Sequence, residues 1–226
     1  MAMVARWAMI MPIETGANAD LLTLVQWLSP AFPLGSFAYS HGLEHAISVG
    51  LVRDAAALGD WLATVLQEGS GAVDATLLCL AQKGGDADHL ADMARALAAS
   101  RERLEESQAQ GRAFVSTVNQ ITGSDHPARP LPVAVGVAAR RLGLPPAQVA
   151  ALYLHAFASN LVSAAVRFVP LGQTEGQRVL AQLHQPIQAV ASRAATAGLP
   201  DLTSAALGAD LSAMRHEDMD VRIFRT

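Results

Sequence analysis

Lysine occurs once in this 226-residue chain, at Lys83, and cysteine once, at Cys79. Lys83 lies in Gln82-Lys83-Gly84-Gly85, so there is no G-x-x-x-x-G-K-[ST] loop to cradle a phosphate, and any nucleotide hydrolysis must come from another protein. A single cysteine excludes an internal disulfide and every C-x-x-C metal or redox site, which fits a cytoplasmic location. Charged residues make up only 16%, the formal net charge is -4 and no basic run exists, so nucleic acid, which rewards clustered Lys and Arg, is excluded as a partner. No apolar run approaches the roughly 20 residues needed to span a bilayer, and membrane partners are excluded with it. The Gly-x-Ser-x-Gly elbow of common serine hydrolases is missing. Sustained period-2 alternation, Asn-Gly hairpins and self-similarity at about 30 to 50 residues are missing too, which removes sheets and solenoids.

What is present is apolar and helical. Hydrophobic residues reach 51% and the mean hydropathy is +0.27, ample for a core. With so few charges the surface keeps more apolar area than a monomer wants, which predicts oligomerisation or obligate partners. The reading is an all-α, single-domain helical bundle: a flexible leader over residues 1–19, a helical domain over 20–200 and a tail over 201–226. Within the leader, Trp7, Met9, Met11 and Pro12 lack a small-residue cleavage pattern, so no export signal is expected.

In order, Asp20 opens a helix carrying Leu21, Leu22, Val25 and Leu28 at helical spacing, and Pro30 ends it. Asp54 caps a helix running to about Glu68, with Gly69 and Gly71 breaking it. Asp74 to Gln82 is apolar and makes Cys79 a core residue rather than a nucleophile. The pattern from Asp88 to Thr122 includes Arg101-Glu102-Arg103-Leu104-Glu105-Glu106, which reads as a solvated helix face. A helix over 133–142, the very apolar 146–169 and an amphipathic run over 173–197 kinked at Pro186 follow, and Gly198-Leu199-Pro200 opens the tail.

The least helical passage is Leu28-Ser29-Pro30-Ala31-Phe32-Pro33-Leu34-Gly35-Ser36-Phe37-Ala38-Tyr39-Ser40-His41-Gly42-Leu43-Glu44. Its prolines donate no backbone hydrogen bond and Gly35 accepts angles closed to other residues, so a fixed elbow is expected, with Ser36 or Ser40 capping a helix that carries Leu43 and Ile47. The apolar area of Phe32, Leu34, Phe37 and Tyr39 must be buried in the core or against another chain. His41-Gly42-Leu43-Glu44-His45 fits H-x-x-E-H, in which two histidines on one helix hold zinc and the glutamate acts as base. Against that reading, Gly42 weakens the helix and no later glutamate is marked as third ligand. Gln173 and Gln177, four apart, are placed to bond the carbonyls freed by Pro170.

Three stretches carry a resemblance. Ser29 to Glu44, Arg167-Phe168-Val169-Pro170-Leu171-Gly172-Gln173-Thr174-Glu175-Gly176-Gln177, and Met214-Arg215-His216-Glu217 with Arg222-Ile223-Phe224-Arg225-Thr226 resemble, in order, the signatures of the UreF family of urease accessory proteins. The resemblance implies an all-helical, non-enzymatic homodimer without a cofactor. It implies a complex with UreD (also called UreH) and the GTPase UreG that carries nickel into apo-urease and regulates the GTPase. Carried over by residue, Pro33, Gly35, Ser36, Phe37, Tyr39, Ser40, Gly42 and Glu44 are the partner-facing or site-shaping set on the GTPase side. Arg222, Phe224 and Arg225 are the tail that docks on UreD. Pro170, Leu171, Gly172, Gln173 and Gln177 hold a helix junction, and His41 and His45 are not carried over as metal ligands. The rivals are a zinc peptidase and a chain that itself ferries nickel. The tail is expected to be loosely held until UreD orders it, unless Leu207, Leu211 and Met214 complete the core.

Overall fold

Side-chain caps at Asp54, Asp86 and Ser100 open three of the described helices. The computed structural model describes residues 15–226, and among these it contains α-helices and short turns but no strand. The first helix, α1, spans Thr15–Leu28, five residues earlier than the start expected at Asp20; residues 1–14 of the leader lie outside the described residues. Asp20 does not cap: its Oδ2 accepts from the Gly143 N–H at 2.8 Å. Past the elbow come α2 (Leu43–Ser48), α3 (Ala55–Glu68) and α4 (Ser70–Gln82). Asp54 caps α3 by accepting from the Ala57 N–H at 2.9 Å.

The run from Asp88 to Thr122 is two helices, α5 (Ala87–Ala96), which ends with Leu97 as its C-cap, and α6 (Arg101–Thr122), which Ser100 caps by accepting from the Arg103 N–H. Then follow α7 (Leu131–Ala139) and α8 (Pro146–Ala165), each with proline in its first turn, where no amide partner is lost. The amphipathic run also divides, into α9 (Gln173–Gln182) and α10 (His184–Thr196). The break falls at Leu183, and Pro186 sits harmlessly in the first turn of α10 instead of kinking it. The last helix, α11 (Leu207–His216), lies within the tail.

The core sits around α4, which lies against α3, α7, α8 and α10. Every residue of α7 is buried, as expected for a segment apolar on all sides. Each fully buried leucine, such as Leu62, Leu78 or Leu154, contributes about 1.5 to 3 kcal/mol. Trp27 of α1 meets Phe114 of α6 edge-on, with ring centroids 5.8 Å apart, and Phe32 of the elbow closes on the same ring. These contacts fix the entrance of the elbow against the core.

Cys79 is fully buried in α4, and burial pushes its thiol up to about 11, with Lys83 opposing weakly. The native protein is therefore expected to leave a disulfide reagent such as DTNB unreacted at pH 7 and to release one equivalent on unfolding in urea. Fast reaction of the folded chain would place Cys79 outside the core.

Candidate functional site

The elbow turns by using backbone conformations that few residues accept. Gly35 at φ +70° starts a 3-10 turn over Ser36–Ala38, and then His41 at φ +60° and Gly42 at φ +74° follow one another in the left-handed region. His41 is the one non-glycine residue with positive φ among those described, at a cost on the order of 1 to 2 kcal/mol. The reversal turns Ser40, His41 and Glu44 inward, where all three are buried. Ser40 caps α2 by accepting from the Glu44 N–H at 3.2 Å, while its hydroxyl donates to the Thr226 carbonyl oxygen.

One half of the site lies between the elbow, α4, α6 and α8. The His41 ring stands 2.6 Å from Ser70 Oγ through Nε2 and 3.5 Å from Glu106 Oε2 through Nδ1, with Phe157 edge-on at 5.1 Å. Glu106 also accepts from Gln110 Nε2 and Thr226 Oγ1, and Arg103 stands 3.5 Å away. Arg103 donates to Asp74 Oδ2 at 2.7 Å, and the Tyr153 hydroxyl donates to the same oxygen at 2.8 Å. Burial disfavours the Glu106 carboxylate, but Arg103 beside it, helped by His41 and Thr226, holds the group below the usual carboxylate range. Burial and the Asp74 carboxylate push the Tyr153 phenol well up, so it stays a neutral donor.

The helix face expected to be solvated is therefore the opposite: Glu102, Arg103 and Glu106 are only 6%, 8% and 4% exposed. Arg101 and Glu105 do face solvent. The reason is that the tail and α4 cover this face and bring counter-charges to it.

The other half joins α2, α6 and the tail. Glu44 accepts from the backbone N–H groups of Ile223 and Phe224, both at 2.9 Å, and lies 3.1 Å from His216 Nε2. On its other side, His216 Nδ1 is 2.7 Å from Glu102 Oε2, and Glu102 accepts from Arg222. Both imidazole nitrogens face carboxylate oxygens, so a single ring ties α2 to α6. Burial works against the Glu44 carboxylate, but the Phe224 N–H, His216 and the Ile223 N–H together hold it below its ordinary range.

Backbone bonds stitch the same strands of chain together: the Ser40 N–H donates to Thr226 and the Arg225 N–H to Ala38, both at 2.8 Å. Phe224 is buried against Phe168 at 5.3 Å, with the Arg167 guanidinium over its ring at 5.9 Å.

Two expectations change here. The tail is not loosely held: His216, Phe224 and Thr226 are buried and tied to α2, α6 and the elbow. Nor do Leu207, Leu211 and Met214 complete the core, since all three are exposed; α11 instead buries Ala209, Ser212, Ala213 and His216. The H-x-x-E-H stretch cannot act as a zinc site, because α2 begins at Leu43, His41 precedes it in a left-handed turn, and Glu44 is committed to the tail. Among the described residues no group of three or more His, Cys, Asp or Glu is placed to hold a metal ion.

A protein-family profile described as UreF matches residues 52–184. A urease accessory protein UreF of Cereibacter sphaeroides is 63% identical over 209 residues, covering 92% of this chain and all of that protein. Proteins of the same name from Jannaschia sp. and Paracoccus denitrificans are each 51% identical, over 94% and 92% of this chain and 97% of their own lengths. The chain belongs to the UreF family. Its work is in urease maturation, as an accessory protein.

In this UreF-family fold the elbow and tail residues singled out from sequence come together as one site. Ser40, Gly42, Glu44 and Tyr39 are buried in it with Phe224, while Pro33, Phe37, Arg222 and Arg225 lie on its surface and Gly35 and Ser36 are half-buried. Phe37 is 67% exposed, so of the two expected places for the elbow's apolar residues it does not take the core of this chain. Pro170, Leu171 and Gly172 sit apart, between α8 and α9, with Gln173 and Gln177 in the first two turns of α9. There Glu175, not a glutamine, closes the junction by accepting from the Gly172 N–H at 3.2 Å, and both glutamines are exposed. Sequence reasoning missed Asp74, Glu102, Arg103, Glu106 and His216. Asp74 did carry a signal: a lone carboxylate inside Ala72-Val73-Asp74-Ala75-Thr76-Leu77 must find a buried partner.

Proposed function

We propose that this chain is a non-catalytic scaffold that bridges UreD (UreH) and the GTPase UreG, regulates that GTPase, and so serves nickel insertion into apo-urease. The observation that carries the reading is the buried polar junction, which holds elbow and tail in one fixed relation while leaving surfaces of both exposed. On the elbow side Pro33 and Phe37 face outward for UreG. On the tail side Leu207, Leu211 and Met214, at helical spacing on α11, together with Val221, Ile223 and Arg225, offer an apolar and basic face to UreD. The segment 170–177 acts by setting Phe168 and Arg167 against Phe224. The remaining exposed apolar residues, among them Leu22 and Val25 on α1, favour pairing of two copies in a homodimer.

Co-purification of the full chain with UreD and UreG tests the reading directly, and failure to capture either would overturn it. Phe37→Ala tests the elbow. Because Phe37 is exposed, its truncation is expected to change stability by less than about 0.5 kcal/mol, yet to weaken UreG capture about tenfold or more. A variant with unchanged melting temperature and unchanged UreG affinity would move the GTPase surface away from the elbow.

A further inference from the structure

His155 on α8 and His184 at the start of α10 face each other with ring centroids 5.6 Å apart and planes inclined at 43°. The histidines that make ring hydrogen bonds, His41 and His216, lie at the elbow and tail junction; among the described residues neither His155 nor His184 has a hydrogen-bond or ion-pair partner. His184 is exposed and His155 half-buried, so the pair is open to solvent on one side.

The spacing admits a shared ion. With metal–nitrogen bonds of about 2.1 Å and ring nitrogens about 1.1 Å from their centroids, two imidazoles on one ion at an angle between about 105° and 125° hold their centroids about 5 to 6 Å apart. We propose that His155 and His184 form a two-imidazole site for a divalent first-row transition ion, bridging α8 and α10. Imidazole selects zinc, copper or nickel over magnesium and calcium. No third protein group joins the pair among the described residues, so the remaining positions belong to water or to an incoming ligand, and the ion is held exchangeably.

The inference rests on this geometry and not on the scaffold reading. Titration of the untagged full chain with Ni2+ by calorimetry is expected to show one ion per chain, unaffected by excess Mg2+. His155→Ala and His184→Ala are each expected to weaken binding at least tenfold, whereas His89→Ala, at an exposed histidine on α5, leaves it unchanged. His184 is exposed, so its variant decides the matter should His155→Ala disturb packing, and circular dichroism checks both. With Cu2+ as probe, electron paramagnetic resonance is expected to show two coupled nitrogens in the parent chain and fewer in either variant. Absence of Ni2+ binding at millimolar concentration, or affinity unchanged in both variants, overturns the site. Capture of UreD and UreG by the double variant is expected to match the parent, so loss of metal and loss of scaffolding are read separately.

Discussion

Glu44→Ala is expected to release the tail. The substitution removes the acceptor of the Ile223 and Phe224 N–H groups and one of the two carboxylates facing His216, all in a buried setting. Breaking one member of a buried charged network costs about 3 to 5 kcal/mol, because the remaining groups stay desolvated without partners. Chemical denaturation measures that loss, and hydrogen exchange locates it: amides of 217–226 lose protection while α4, α7 and α8 keep theirs. The same link makes the junction acid-labile. Glu44 and Glu106 are held below the ordinary carboxylate range, so their contribution is complete above their unfolded pKa of about 4.3 and is lost as pH falls through the lower folded values. Tail protection should therefore fade below about pH 4, and Glu44→Ala should shrink that acid transition. If tail amides in Glu44→Ala are as protected as in the parent chain, the junction is not what holds the tail.

Gly42→Ala reaches the same end without touching a charge. At φ +74° a side chain costs about 1 to 2 kcal/mol by itself. Its Cβ would also stand 2.6 Å from the Ala213 nitrogen and 2.9 Å from the Ala213 Cα, and backbone in the middle of α11 cannot swing aside as a side-chain tip can. The overpacking adds about 1 to 3 kcal/mol, so a total of about 2 to 5 is expected from the urea midpoint. Gly35 supplies the control: its φ is +70° but nothing lies within 4 Å of its Cβ position, so Gly35→Ala should cost the conformational part alone. Equal losses in the two variants would mean that α11 does not sit on the elbow. Since Gly42→Ala and Glu44→Ala both unseat the tail, their combination should cost clearly less than the sum.

Most helices were legible because their apolar residues recur at helical spacing and their ends carry Asp54, Pro30 or a glycine turn. What was not legible depends on what covers a surface. Glu102, Arg103 and Glu106 read as solvated because a charged helix face normally is; it is buried by partners distant in the chain, His216 and Arg222 at Glu102, Asp74 at Arg103, and His41 and Thr226 at Glu106. In α11 the alternative that Leu207, Leu211 and Met214 complete the core has the faces reversed. Leu207, Leu211 and Met214 form the apolar stripe and stay exposed, while the buried side is Ala209, Ser212, Ala213 and His216, small residues that let the helix approach Gly42 closely. The elbow and the tail were each visible in the sequence, but their meeting in one site was not, since nothing local links Glu44 to Phe224.

That separation has a temporal side. The bond from the Phe224 N–H to Glu44 joins residues 180 apart in the chain. At ordinary rates of protein synthesis, about 5 to 20 residues per second, Glu44 is made roughly 9 to 36 seconds before the amide that satisfies it. Through that interval α2 and α6 can pack their apolar sides, but Glu44 and Glu102 must stay hydrated, because neither His216 nor Arg222 yet exists. The junction therefore cannot close until the end of synthesis, and a chain cut short before residue 216 lacks every tail group that meets Glu44.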